Sequence, residues 1–141
     1  MKKKDIKILL VDDEQDILEI VGYNLSQEGY QIVTASNGKE AIAKAKKEHP
    51  QLIIMDVMMP EMDGMEACEN IRKIPELQDT IITFLTARSE DYSQVAGFDA
   101  GADDYIAKPI KPKVLVSKVQ ALLRRLKGVE GVSSTTTLTV G

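Results

Sequence analysis

Five side chains in this sequence are of types that can jointly handle a hard cation and a phosphoryl group: Asp12, Asp13, Asp56, Thr86 and Lys108. Asp56 ends the apolar run Leu52-Ile53-Ile54-Met55, and a loop rich in Pro, Asp and Gly follows it. Asp12 and Asp13 end the run Ile6 to Val11, Thr86 ends Ile81 to Leu85, and Lys108-Pro109 follows Tyr105-Ile106-Ala107. Carboxylates held close together repel, and a divalent cation relieves that strain. Mg2+ takes oxygen ligands and is typically held by one or two carboxylates plus phosphate oxygens. A carboxylate is also a nucleophile toward phosphorus, giving an aspartyl phosphate. Phosphoryl transfer then needs positioning and charge neutralisation. A cation would serve one oxygen, Lys108 a second, and the Thr86 hydroxyl a third. An aspartate after a strand is more often a cap or turn residue, so the weight rests on all five residues falling at strand ends.

Those ends must share one rim. Ile6 to Val11 reads as a compact strand, and a helix follows to about Glu28, with Ile17, Leu18, Val21 and Leu25 at helical spacing. Gly29 stops it. Gln31 to Ala35 is a second strand, β-branched at Ile32, Val33 and Thr34. Asn37-Gly38 turns into a helix carrying Ala41, Ile42 and Ala45, which ends before Pro50. The run to Asp56 reads as a strand buried on both faces. Asp63-Gly64 opens a third helix, with Cys68 and Ile71 inward, closed by Pro75. Ile81 to Thr86 is a fourth strand, Ser89 caps a fourth helix running toward Ala100, and Gly101 breaks it. Tyr105 to Ala107 is a short fifth strand. Pro112 suits the first turn of a last helix that buries Leu115, Val119, Leu122 and Leu126, carries Arg124, Arg125 and Lys127 in its final turn, and is capped by Gly128.

Five strands alternating with five helices imply right-handed crossovers and a parallel sheet between two helical layers. In such sheets ligands bind at the carboxyl ends of the strands. Adjacent Asp12 and Asp13 point to opposite faces of a regular strand, so both reach the rim only where the strand has already become loop. Strand order 2-1-3-4-5 is one of two common choices, and periodicity does not select it.

The 141 residues amount to about one domain, with an ordinary soluble balance of 43% hydrophobic and 28% charged residues. The formal net charge of -4 argues against direct nucleic-acid binding, which usually needs a basic face. Lys2-Lys3-Lys4 is a short, solvated terminal run. No apolar run approaches the roughly 20 residues of a membrane span, and no secretory h-region follows the lysines. One cysteine excludes an internal disulfide, and one histidine excludes His-cluster metal chemistry. Together these favour a cytoplasmic protein. Residues 128–137 are rich in Gly, Ser and Thr and read as a linker. Residues 138–141 look like the truncated start of a further domain.

In order and spacing, Val11-Asp12-Asp13-Glu14, Met55-Asp56-Val57-Met58-Met59-Pro60, Asp63-Gly64, Leu85-Thr86-Ala87 and Gly101-Ala102-Asp103-Asp104-Tyr105-Ile106-Ala107-Lys108-Pro109 form a specific set. On these residues the chain resembles the receiver domain of bacterial two-component response regulators, over about residues 5–127. The resemblance implies a flavodoxin-like (CheY-like) doubly wound sheet of order 2-1-3-4-5. It implies that Asp56 accepts a phosphoryl group from a sensor histidine kinase. It implies Mg2+ on Asp13, Asp56 and the Met58 backbone carbonyl, with Asp12 acting through water. It implies a cis peptide bond at Lys108-Pro109, and a switch pair in which phosphate draws the Thr86 hydroxyl inward and the Tyr105 ring follows. Such a protein is a signalling phosphoacceptor, not an enzyme acting on other substrates.

Tyr105, Arg124-Arg125 and the linker resemble the OmpR/PhoB subfamily. There a winged-helix DNA-binding domain follows the receiver, and active receivers pair through the fourth helix, fifth strand and fifth helix. Residues 1–127 would be the receiver, and residues 138–141 the beginning of that effector domain. The pairing surface departs in part from the subfamily: Gln94 and Val114 stand where a basic and an acidic partner are usual. Asp104 and Lys118 retain one opposite-charge pair, and Val95, Phe98 and Val116 supply an apolar centre.

Other functions fit less well. A haloacid-dehalogenase-type phosphatase places its acids as Asp-x-Asp, whereas Asp12 and Asp13 are adjacent and no cap domain is present. A phosphorylation-independent interaction module needs no intact set of Asp13, Asp56, Thr86 and Lys108. Neither phosphate-binding glycine motif of nucleotide enzymes occurs. Cys68 reads as a small core residue, His49 as a solvated helix end, and Met58, Met59 and Met62 as the lining of a loop. Asp103 and Asp104 read as loop caps.

Overall fold

The computed structural model describes residues 2–86 and 100–126. Five strands form one parallel sheet: β1 (Lys7–Val11), β2 (Gln31–Ala35), β3 (Leu52–Asp56), β4 (Ile81–Thr86) and β5 (Asp104–Ala107), in the order β2-β1-β3-β4-β5. The expected doubly wound sheet and its order are borne out. The helices among the described residues are α1 (Gln15–Gln27), α2 (Gly38–Glu48), α3 (Gly64–Arg72) and a C-terminal helix (Pro112–Leu123). The expected fourth helix, with Ser89, Gln94, Val95 and Phe98, lies outside the described residues, as do Lys127 and residues 128–141.

The layering follows from the period-two alternation of the strands. Ile8 and Leu10, Leu52 and Ile54, and Ile81 and Leu85 face α1 and the C-terminal helix, which return Leu18, Val21, Leu25, Leu115, Val119 and Leu122. Leu9, Val11, Ile53, Met55, Ile82 and Phe84 face the other way, against Ala41, Ala45, Ala67, Cys68 and Ile71 of α2 and α3. The apolar runs are continuous because both faces are covered. Among the described residues no helix is long and apolar enough to cross a membrane.

The starts of α2 and α3 are fixed by side-chain caps. Asn37 Oδ1 accepts the Glu40 N–H at 2.8 Å while Glu40 Oε1 accepts the Ser36 N–H at 2.7 Å. Asp63 Oδ1 accepts the Glu66 N–H at 2.9 Å. Each cap is worth about 1 kcal/mol. The C-terminal helix stops earlier than its apolar spacing predicts. The N–H groups of Arg125 and Leu126 donate to the carbonyls of Leu122 and Leu123, which tightens the last turn out of α geometry. Arg125 then turns to Asp103, with Nη1 3.5 Å from Oδ1.

A lock at the amino-terminal edge of the sheet was not foreseen. The Arg72 guanidinium donates to the carbonyls of Gly101 and Thr80 at 2.8 and 2.7 Å and to Asp103 Oδ2 at 2.9 Å. Asp103 Oδ2 also accepts the Ile82 N–H at 2.9 Å. Asp103 therefore joins α3 to β4 and to the approach of β5, rather than only solvating its loop. Gly101 (φ +104°) leaves room for this, since a Cβ there would lie 2.8 Å from Arg72 Cγ.

Tyr30 is an apparent misfit in the core. Its hydroxyl is buried without a hydrogen-bond partner, and burial, helped by the charge of Glu28, pushes its pKa up to about 12. An unsatisfied buried hydroxyl costs about 1–3 kcal/mol. Tyr30→Phe is expected to leave the fold intact and raise stability by about 0.5–1 kcal/mol. A urea midpoint lower than that of the parent protein would contradict this account.

Candidate functional site

The carboxyl ends of β1, β3, β4 and β5 converge on one rim. β1 ends at Val11, so Asp12 and Asp13 belong to the loop and both reach that rim. Asp12 is 1% exposed and Asp13 is exposed. Asp12 Oδ1 accepts the Glu14 N–H at 2.9 Å, and the Asp12 N–H donates to the Ala35 carbonyl at 3.2 Å. Asp56, 5% exposed, ends a strand whose five residues are all buried. Its Oδ1 accepts the Met58 N–H at 3.2 Å. β3 and β4 pair Asp56 with Leu85, so Thr86, also buried, lies one residue further along the same edge.

Lys108 enters from the end of β5. Its N–H donates to the Thr86 carbonyl at 2.7 Å, and the following bond to Pro109 is cis. Its ammonium lies 3.2 Å from Asp12 Oδ2, 3.6 Å from Asp56 Oδ2 and 3.9 Å from Glu14 Oε1. One cation is thus shared among three carboxylates.

The electrostatics follow from that imbalance. Burial, with the charges of Asp12 and Asp13, raises the Asp56 pKa from 3.8 to about 6 against the pull of Lys108 and the Met58 N–H. Burial pulls the Lys108 ammonium down, but the charges of Asp56, Asp12 and Glu14 outweigh it and hold its pKa above the usual lysine range.

Asp12, Asp13 and Asp56 each offer an oxygen within 4.8 Å of the others. These are hard, anionic donors. Asp12 Oδ2 makes no aligned hydrogen bond beyond its ion pair with Lys108, so it retains coordinating capacity. The donor set fits a small divalent cation such as Mg2+, which favours oxygen ligands.

The family model of the response regulator receiver domain matches residues 8–120. The chain belongs to that family. Over 119 residues it is 46% identical to the alkaline phosphatase synthesis transcriptional regulatory protein PhoP of Bacillus subtilis, covering 84% of this chain and 49% of the relative. It is 48% identical over 121 residues to the transcriptional regulatory protein ResD of the same organism, covering 86% and 49%. The receiver thus spans about half the length of the curated relatives it matches. Within the family its sequence is of the OmpR/PhoB type. The chemotaxis response regulator CheY4 of Vibrio cholerae superposes on it with a TM-score of 0.81 and 36% identity, covering 84% of this chain and 98% of CheY4.

Of the residues singled out from the sequence, the receiver fold brings Asp12, Asp13, Asp56 and Lys108 together and sets Thr86 on the same edge. Tyr105 is partly buried on β5, where it pairs with Phe84 and packs against the layer of α2 and α3. Met58 is 76% exposed, whereas Met59 is buried and Met62 lies over Gly38. Val116 is half-buried against the opposite layer. Val95 and Phe98 lie outside the described residues. Sequence reasoning gave Glu14 no role, although it reaches Lys108. Its place beside the acidic pair is visible in the sequence, but its contact with a lysine 94 positions away is not.

Proposed function

We propose that this receiver accepts a phosphoryl group on Asp56 from a sensor histidine kinase in a Mg2+-dependent reaction, and relays that state to a following effector domain. The observation that carries the reading is the cluster of Asp12, Asp13 and Asp56 oxygens within 4.8 Å, with the Lys108 ammonium 3.6 Å from Asp56. Asp13, Asp56, the Met58 carbonyl and, through water, Asp12 would hold Mg2+. When bound, the ion supplies charge neutralisation at one phosphoryl oxygen. The chain's own residues do the rest. Asp56 in its ionised form attacks phosphorus as the P–N bond to the kinase imidazole breaks, and the imidazole leaves with the electron pair. Lys108 neutralises a second oxygen, and the Thr86 hydroxyl donates to a third.

The new group adds about -1.5 to -2 of charge at one point, which rewards any conformation drawing Thr86 and Lys108 closer. Tyr105 would follow Thr86 and alter the face formed by the fourth helix, β5 and the C-terminal helix. Asp104, Val116, Lys118, Val95 and Phe98 would then serve pairing with a second copy. Residues 1–127 would be the receiver, 128–137 a linker, and 138–141 the start of a winged-helix DNA-binding domain. The similarity to two transcriptional regulators of about twice the length supports this organisation, a role in transcription and a cytoplasmic location. The domain acts as a phosphoacceptor, with only self-directed phosphotransfer and autodephosphorylation.

The test is intact-mass analysis after incubation with Mg2+ and a small acyl phosphate. One phosphoryl adduct is expected, and none with chelator. An adduct that survives chelation would overturn the metal-dependent reading. Thr86→Ala is expected to keep the adduct but lose phosphorylation-dependent dimerisation. Unchanged dimerisation of that variant by light scattering would count against the switch role.

A further inference from the structure

β5 is an edge strand, and its outward backbone groups need partners. The Lys108 N–H bonds to the Thr86 carbonyl, so the alternation of a parallel ladder turns the backbone of Tyr105 away from β4, toward the open side. Both of its groups are nevertheless satisfied. The Tyr105 N–H donates to Asp104 Oδ1 at 2.8 Å, and the Tyr105 carbonyl accepts from Lys118 Nζ at 3.0 Å. The two capping side chains also pair with each other, Nζ lying 3.7 Å from Oδ1. The same ammonium sits 5.1 Å from the centroid of the Tyr105 ring. Lys118 belongs to the C-terminal helix, on one side of the sheet, whereas the Tyr105 ring packs against the layer on the other side. The lysine therefore reaches round the sheet edge to hold backbone and ring together.

We propose that Asp104 and Lys118 form an intramolecular clamp on Tyr105, with Lys118 a positioning residue that holds the ring in its unphosphorylated place. The clamp has a consequence for pairing. The opposite-charge pair that a second copy would use is already closed within one chain, so it must open before it can be shared. Opening it and moving the ring both work against phosphorylation, and the clamp acts as a brake on the switch. This rests on the reading of Tyr105 as the switch aromatic.

The test compares the parent protein with Lys118→Met, which keeps the aliphatic stem and removes the charge, and Lys118→Arg, which keeps the charge. Amide exchange of Tyr105 is followed by NMR without ligand, and the apparent affinity for beryllofluoride with Mg2+ is then titrated. Lys118→Met is expected to speed exchange at Tyr105 and tighten beryllofluoride binding about three- to tenfold, as a ring-held cation and its pair suggest. Lys118→Arg is expected to stay near the parent in both. Unchanged exchange in Lys118→Met overturns the clamp, and faster exchange with equal or weaker beryllofluoride binding overturns the brake. A parent protein that binds no beryllofluoride refutes the receiver reading and the brake with it, while the exchange comparison still decides whether the clamp exists.

Discussion

Asp56→Asn is expected to abolish the phosphoryl adduct and, in the absence of Mg2+, to make the protein more stable by about 2–3 kcal/mol at neutral pH. Both effects have the same origin. The proposed nucleophile, Asp56, is a carboxylate buried close to Asp12 and Asp13, and its charge is unfavourable in the folded chain. The gap between the usual 3.8 and about 6 corresponds to about 3 kcal/mol. Its sign is that of a raised acid. Below 3.8 the carboxyl is protonated in folded and unfolded chains alike, and the substitution changes little. Above about 6 the folded protein carries the charge, and the penalty is present in full. The gain from Asn should therefore grow as pH rises through this window and level off above it. Asn keeps the size and the acceptor for the Met58 N–H, so packing should hold. Saturating Mg2+ should shrink the gain, since the parent protein then recovers stability through binding. Urea unfolding at pH 4 and pH 8, with and without Mg2+, measures all of this. A gain that is the same at both pH values would remove the electrostatic explanation.

Gly64→Ala should act in the opposite direction, with a loss of about 2–3 kcal/mol, on the order of 10 °C in Tm. Helix propensity alone favours Ala over Gly by about 1 kcal/mol. Sterics override it here. A Cβ on Gly64 would lie 2.3 Å from the Asp56 carbonyl oxygen and 3.1 Å from Val57 Cα, and both are backbone atoms that no rotamer change can move. The Gly64 N–H also donates to the Val57 carbonyl at 2.9 Å, which fixes the close approach of α3 to the end of β3. Relief would shift Asp56 itself, so weaker Mg2+ binding should accompany the lost stability. Gly38→Ala is the control. Its Cβ would meet the side chain of Met62, with 2.8 Å to Sδ, and a thioether can swing aside. Its cost should stay below about 1 kcal/mol. Thermal unfolding and calorimetric Mg2+ titration of the two variants separate these cases. Equal losses in both would show that the backbone contact at Gly64 is not the cause.

Much of the fold was legible because each strand is a short apolar run that stops abruptly. β3 is the clearest instance: four apolar residues, then Asp56, with helical spacing on either side. A parallel sheet covered on both faces leaves that signature, and the rule that ligands sit at carboxyl ends converts it into a site. The change from strand to loop at Asp12 could also be anticipated, because two adjacent acids cannot both reach the rim from a regular strand. The early end of the C-terminal helix could not. Leu126 continues the apolar spacing, and in the turn that ends the helix Arg125 meets an aspartate of another loop.

The alternation of elements, the two apolar layers and the acidic, hydroxyl and lysine groups at one rim can be read from residue types and spacing, since these depend on local periodicity and on where each run ends. The Arg72–Asp103 lock on the opposite edge, the closure of Lys118 on Tyr105, the approach of Gly64 to the Asp56 backbone and the upward push that burial gives the Asp56 pKa come instead from the three-dimensional packing. Each of these depends on distances between groups far apart in the chain, or on how completely packing excludes water around a charge. Residue types and spacing carry no record of either.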